Sequence, residues 1–258
     1  MAATVFYLDP LPEVGGVAVL DGKEGHHAAT VRRIRVGERL LLSDGRGGLA
    51  DTVVTAAEKN RLELAVNARS DATPPTPTVG LVQALPKAER SELAVELATE
   101  AGIDSIHPWQ SARCVARWDG PKAVKGVARW QGVAAAASKQ SRRPFVPSVS
   151  DVQDTAGVVS LVRDVVDRGG VVAVLHEAAT AEFSSLPFRT VQEVLLIVGP
   201  EGGIDDKEIA RLTEVGATPV MLGPTVLRTS TAAAVALGAI GALTDRWKQA
   251  PLDFGSPT

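Results

Sequence analysis

The sequence is short of cysteine, of long apolar runs and of phosphate-gripping glycine motifs, and each shortage excludes a class of protein. Cys114 is the single cysteine in 258 residues, so neither an internal disulfide nor a cysteine-cluster metal site can form. The longest apolar run, Ala232 to Leu243, falls well below the roughly 20 residues that cross a bilayer, so no membrane span is expected. The opening residues, MAATVFYLDPLPE, have neither a basic n-region nor an apolar h-region, which gives the expectation of a cytoplasmic protein. Neither GxxxxGKS/T nor a GxGxxG turn after the first strand occurs, which argues against a nucleoside triphosphate or a Rossmann dinucleotide as ligand. No internal repeat or low-complexity tract is present.

What the chain does hold is apolar side chain: 45% hydrophobic residues supply a core for one large or two unequal domains. Pro74, Pro75, Pro77 and Gly80 crowd the stretch DATPPTPTVG, a linker composition. It sets the expected division: 1–72, a linker at 73–80, 81–250, and a loose tail at 251–258. Before the linker, short partly alternating runs (TVFYL, GVAVL, ERLLLSD, GLADTVVTAAE, RLELAVNA) predict a small β-barrel with one helix near EGHHAATVRRIR, suited to binding rather than catalysis. After it, near-continuous apolar strands alternate with helices at 87–101, 121–141, 205–215 and 229–247, which predicts an α/β domain with a parallel sheet covered on both faces. In such sheets ligands bind at the carboxyl ends of the strands.

Three strands end in loops of unusual content: VLHEAA (174–179), IVGPEGG (197–203) and MLGPTVLRTSTAA (221–233). Gly199, Gly202 and Gly203 offer bare backbone at close range, and Pro200 stiffens their turn. The next helix starts with Asp205 as N-cap and Glu208 three residues on, so its free amides are already matched by carboxylates and make a poor phosphate cradle. In the last loop Thr229 or Ser230 could cap the long Ala-rich helix that follows.

The pair VGPEGGIDDKEI and LGPTVLRTSTAA closely resembles the two signature loops of the SPOUT methyltransferases, specifically the bacterial ribosomal RNA small-subunit methyltransferase E family. The resemblance extends through LPKAERSELAVELATEAGIDSIHPWQSARC and RWQGVAAAASKQSRRPFVP to a PUA-like N-terminal barrel. It departs from the family pattern at Ser230, where the family usually has Glu, and at Lys139, where Glu usually precedes Gln. The resemblance implies a C-terminal trefoil knot, a homodimer, and methylation of N3 of a uridine in the decoding region of 16S rRNA, free or in the small ribosomal subunit. It implies S-adenosyl-L-methionine as cofactor and no metal. It places Leu175, His176, Gly199, Pro200, Gly202, Gly203, Leu222, Gly223, Pro224, Val226 and Leu227 at the cofactor. Two alternatives stay open: a ribose 2′-O-methyltransferase of the same superfamily, and a non-catalytic RNA-binding assembly factor.

Uridine N3 carries a proton and becomes nucleophilic only as it loses it, so the site must stabilise an anionic base or supply a general base. Arg228, beside the cofactor loop, is the first candidate for the stabilising cation, with Arg143 and Arg113 next. Glu201 is either a catalytic carboxylate or a helix-entry residue bonding local amides, and His176 is either a base or a strand-end residue bound through its backbone. For RNA, the formal charge of −3 is misleading. Arg113, Arg117, Lys122, Lys125, Arg129, Lys139, Arg142 and Arg143 stand against Asp119 alone, and Arg32, Arg33, Arg35 and Arg39 form a second cluster. The expected RNA contacts are Arg32, Arg33, Arg35, Arg113, Arg117, Arg142 and Arg143, arginine favouring forked phosphate contacts.

Overall fold

A computed structural model describes residues 4–248 and Leu252; the expected tail at 251–258 otherwise lies outside the described residues. The chain forms two compact units, one of 4–74 with 138–146 and Leu252, the other of 75–137 and 147–248.

The first unit is a five-stranded sheet. Its strands β1 (Val5–Tyr7), β2 (Val17–Leu20), β3 (Arg39–Ser43), β4 (Gly48–Glu58) and β5 (Arg61–Asp71) lie in the order β1-β3-β4-β5-β2. Only β1 and β3 run parallel. Alternation along β5 buries Leu62, Leu64 and Val66 against Phe6, Leu20, Leu40 and Leu42, which is the core that period-2 patterning dictates. Register shifts at Asp51/Thr52 and Val54/Ala56 bend the long β4–β5 hairpin. The expected helix is short: α1 (Gly22–His26) continues as a π-helical turn over His27–Val31 and stops before Arg33, whose φ is 56°.

Residues 138–146, assigned by sequence to the C-terminal domain, belong instead to this first unit. Tyr7 Oη donates to Arg143 O (2.8 Å), Gly47 N to Pro144 O (3.0 Å) and Val146 N to Gly45 O (2.8 Å). A Cβ on Gly47, at φ 107°, would stand 2.5 Å from the Phe145 ring, so this approach requires glycine. Lys139 Nζ pairs with Glu24 at 2.7 Å and sits 4.8 Å from the centroid of the Phe6 ring. These partners lie about a hundred residues or more away in the chain, beyond the reach of local pattern.

The second unit is built on a seven-stranded, wholly parallel sheet in the order β10-β12-β9-β11-β6-β7-β8. Its strands are β6 (Thr78–Ala84), β7 (Ser105–Trp109), β8 (Ser148–Val149), β9 (Val171–Leu175), β10 (Ala181–Glu182), β11 (Glu193–Val198) and β12 (Thr218–Met221). β6 begins inside the stretch read as linker. Its helices are α2 (Ala88–Glu100), α3 (Pro121–Gln140, whose last turn enters the first unit), α4 (Thr155–Asp167), α5 (Asp206–Glu214) and α6 (Thr229–Leu243). α2 packs on α6 and α4 on α5, while both α4 and α6 touch β11. Every residue of β11 from Val194 to Val198 is buried, as a strand covered on both faces requires. α4 was not anticipated, although Asp154 caps it through Gly157 N (2.8 Å) and Val158, Val162 and Val165 fall at helical spacing. The two-residue edge strands β8 and β10 carry no sequence signal.

Candidate active site

β9, β11 and β12 are parallel, and their register aligns Leu175 with both Val198 and Val220. The loops that follow therefore leave the sheet along one edge, side by side, where they and the start of α2 enclose a cavity of about 360 Å³. Leu175, Val198, Ile204, Leu222 and Leu227 give it apolar walls, and the 222–228 segment gives it backbone. No backbone N–H from Gly223 to Arg228 donates to another described residue, so a run of strong donors lines the cavity without internal acceptors.

Glycine matters at two places for different reasons. At Gly199 a Cβ would stand 2.6 Å from Ile204 Cγ1, so the turn closes on its own side chain only if residue 199 has none. At Gly223 a Cβ would meet nothing within 4 Å, so the protein itself does not demand glycine there. Thr229 does not cap α6 through its side chain: its Oγ1 donates to Gly199 O (2.9 Å) and ties the two loops together. Ser230 does not cap it either, since it is buried with no hydrogen-bond partner for its hydroxyl among the described residues.

Asp205 and Glu208 form the expected capping box, and Glu208 does more. Buried at 5% exposure, its carboxylate also accepts from Thr155 Oγ1 (2.6 Å) and Ala112 N (2.9 Å), joining three segments under the 199–205 turn.

Of the residues expected at the cofactor, Leu175, His176, Gly199, Pro200, Gly203, Leu222, Gly223, Pro224, Val226 and Leu227 line the cavity. Gly202 does not: its carbonyl accepts from Arg113 Nη1 (3.4 Å). Arg228 and Glu201 also line it, whereas none of the seven arginines expected at RNA does. Sequence reasoning missed Arg90, Glu177, Val198, Ile204, Met221, Thr225, Thr229 and Ala232 as lining residues. Most of these flank the chosen motifs and fall in the same loops, but Arg90 enters from α2 and has no such signal.

The two titratable candidates for a base are both engaged. His176 Nδ1 accepts from Ala178 N (3.2 Å), and Glu201 Oε1 accepts from Lys87 N (3.1 Å). Arg228 is exposed and has no acidic partner among the described residues. Arg113 is spent on the 202–205 turn, with Nη2 3.2 Å from Asp205 Oδ2. Arg143 is held in the first unit through its backbone.

Residues 73–241 match the RNA methyltransferase domain family, and residues 20–67 match the RNA methyltransferase PUA domain family. A protein of Mycobacterium bovis named ribosomal RNA small subunit methyltransferase E is 54% identical over 253 residues, 98% of this chain and 97% of that one. The chain belongs to the ribosomal RNA small subunit methyltransferase E family. The Bacillus subtilis member is 32% identical, covering 88% of this chain and 90% of its own. Among solved structures, the family member from Neisseria gonorrhoeae bound to S-adenosyl methionine is 26% identical with a TM-score of 0.83, covering 94% and 98% of the two chains. A Legionella pneumophila methyltransferase in complex with SAM gives 27% and 0.82, covering 95% and 99%.

As a member of that family the chain is an S-adenosylmethionine-dependent rRNA methyltransferase. The cavity fits that cofactor on its own terms: apolar walls suit a purine, unpaired amides suit its polar edges, and open space at Gly223 admits a close approach. Among the described residues no group of three or more His, Cys, Asp or Glu could hold a metal, and no helix is long and apolar enough to cross a membrane.

The basic residues are less free than their count implies. Arg113, Arg129 and Lys139 pair with Asp205 (3.2 Å), Glu92 (3.3 Å) and Glu24 (2.7 Å), acids brought from other segments. Arg117 reaches Ala112 O at 3.4 Å, and Arg142 adopts φ 58°. In the first unit Arg39 pairs with Asp51, but Arg32, Arg33 and Arg35 are exposed, with no acidic partner for their guanidinium groups among the described residues.

Proposed function

We propose that the protein methylates N3 of a uridine in the decoding region of 16S rRNA, free or within the small ribosomal subunit, in the cytoplasm. The observation that carries this reading is full-length similarity to proteins named for the small-subunit reaction, joined to a cavity whose free side chain at the cofactor loop is a cation. S-adenosylmethionine, when bound, supplies a methyl group made electrophilic by its positive sulfur. Leu175, Leu222 and Leu227 would wall its adenine, while amides between Gly223 and Arg228 would bind its polar atoms.

The chain's part in the chemistry is to orient the uracil, exclude water and favour loss of its N3 proton. Arg228 performs the last task by stabilising negative charge on the ring. With Glu201 and His176 Nδ1 each committed to a backbone N–H, no side-chain base is required in this scheme, and solvent takes the proton. Arg32, Arg33 and Arg35, on a first unit closed as a PUA-like barrel, hold RNA phosphates; Arg117, Arg142 and Arg143 extend that contact.

The path of the last segments supports a trefoil knot: from β11 the chain passes β9 to reach β12, then returns to set α6 against β11. A homodimer through α6 explains why Val235 on that helix is 46% exposed and Trp247 beyond it 56% exposed. The reaction is tested by incubating the purified protein and S-adenosylmethionine with small subunits lacking the modification, then identifying the nucleosides by mass spectrometry. N3-methyluridine supports the reading. A 2′-O-methylated nucleoside, or cofactor and RNA binding without any methylated product, overturns it.

A further inference from the structure

Arg90 stands in the first turn of α2, is half-buried, and lines the same cavity as Arg228. Its side chain has no acidic partner among the described residues. Its backbone N donates to Lys87 O (2.9 Å), and Lys87 N in turn donates to Glu201 Oε1 (3.1 Å). Glu201, in the Gly-Pro-Glu-Gly-Gly turn, therefore grips the peptide from which the turn carrying Arg90 starts. A carboxylate used in this way is a holder of α2, and what it holds in place is a second guanidinium at the cavity.

We propose that Arg90 is a catalytic residue that works with Arg228 to hold the target uracil as its N3 anion, and that Glu201 is a positioning residue acting through Arg90. The inference rests on the N3-uridine reading above. Loss of the N3 proton to solvent leaves a negative charge spread over O2, N3 and O4. N3 then forms its bond to the methyl carbon as the carbon–sulfur pair returns to sulfur, leaving a neutral thioether. Two cations from different elements can meet that charge on different edges of a planar ring. Because Arg90 is partly withdrawn from water, its contribution is larger than that of a surface arginine.

The test compares Arg90→Ala, Arg90→Lys, Glu201→Gln and Glu201→Ala with the parent protein in single-turnover methylation of small subunits across pH, and in calorimetry with S-adenosylmethionine. Arg90→Ala should lower the methylation rate by about a hundredfold, the usual loss for one anion-stabilising donor. It should leave cofactor affinity within about twofold, shift the rising limb of the rate to higher pH, and lose much of its deficit where uracil ionises unaided. Arg90→Lys should recover part of the rate. Glu201→Gln keeps an oxygen for Lys87 N and should recover most of the rate lost in Glu201→Ala. Glu201→Ala should mimic Arg90→Ala, and the double variant should be no slower than Arg90→Ala alone.

A raised KM for rRNA with unchanged kcat and a steeper salt dependence would make Arg90 a phosphate contact and overturn the proposal. Loss of cofactor affinity would make it part of the cofactor site and do the same. A flat pH profile in Glu201→Gln would make Glu201 the base. If the parent protein forms no N3-methyluridine, the N3 reading itself fails. If it does and Arg90→Ala matches it in rate and pH profile, only this inference fails.

Discussion

Gly223→Ala separates a glycine needed by the protein from one needed by its ligand. A Cβ at 223 meets nothing within 4 Å of the chain, and its φ is not in the left-handed region, so the substitution neither overpacks nor strains the fold. The unfolding midpoint of the cofactor-free protein should therefore stay within about 1 °C, because no named mechanism of destabilisation is engaged. If the cofactor lies against this backbone, the added methyl occupies its space, and one extra methyl-sized group in a fitted pocket costs about 1–3 kcal/mol, roughly tenfold to two-hundredfold in affinity. Calorimetry with S-adenosylmethionine reads that loss directly. Gly199→Ala is the contrast, since its Cβ would stand 2.6 Å from Ile204, which is buried at 3% exposure, and overpacking of this kind costs about 1–3 kcal/mol of stability. Unchanged cofactor affinity in Gly223→Ala, with an intact fold, would refute the placement of the cofactor against the 222–228 backbone.

Arg246→Ala should destabilise the second unit by about 3–5 kcal/mol in denaturant titration, because it strips a side chain 3% exposed from Pro77 O (2.6 Å), Gly102 O and Asp104 (2.9 Å), removing one partner of a largely buried ion pair and the donors of two carbonyls. Tyr7→Phe should alter the alkaline limb of stability. Burial pushes the Tyr7 hydroxyl from 10.0 up to about 12, so the folded state keeps a proton that the unfolded chain releases, and stability is lost as pH rises from 10 towards 12. In the variant that part of the loss should vanish, while an unchanged alkaline limb would contradict burial of the hydroxyl. Charge reversal at Arg32 and Arg33 should weaken binding of 16S rRNA most at low salt and flatten the salt dependence, as measured by filter binding; a salt-independent defect would remove these residues from the RNA surface.

The parallel sheet and its three strand-end loops were legible because apolar runs ending in glycine and proline encode both a buried strand and a bare turn, as IVGPEGG and MLGPTV do. The capping box at Asp205 and Glu208 is equally local, and the structure keeps it. What sequence could not supply is contact between distant segments. Glu208 reads as a cap, yet its burial against Thr155 and Ala112 comes from chain brought in from elsewhere. The basic run from Arg113 to Arg143 reads as an unopposed positive surface, but Asp205, Glu92 and Glu24 meet three of its members in space. Lys139, conspicuous as a departure from the family pattern, has Glu24 as its counterpart over a hundred residues upstream. Arg90 gave no signal because a single arginine in a helix is usually a solvated charge, and only the meeting of α2 with the strand-end loops puts it at a cavity.

Methylation of uridine N3 by this protein is tested most directly by mass spectrometry of nucleosides from the 16S rRNA of a strain lacking it. N3-methyluridine should disappear, return with the parent gene, and be restored only slightly by Arg228→Ala despite near-normal binding of S-adenosylmethionine. Full retention of N3-methyluridine in the deletion strain would contradict N3 methylation by this protein.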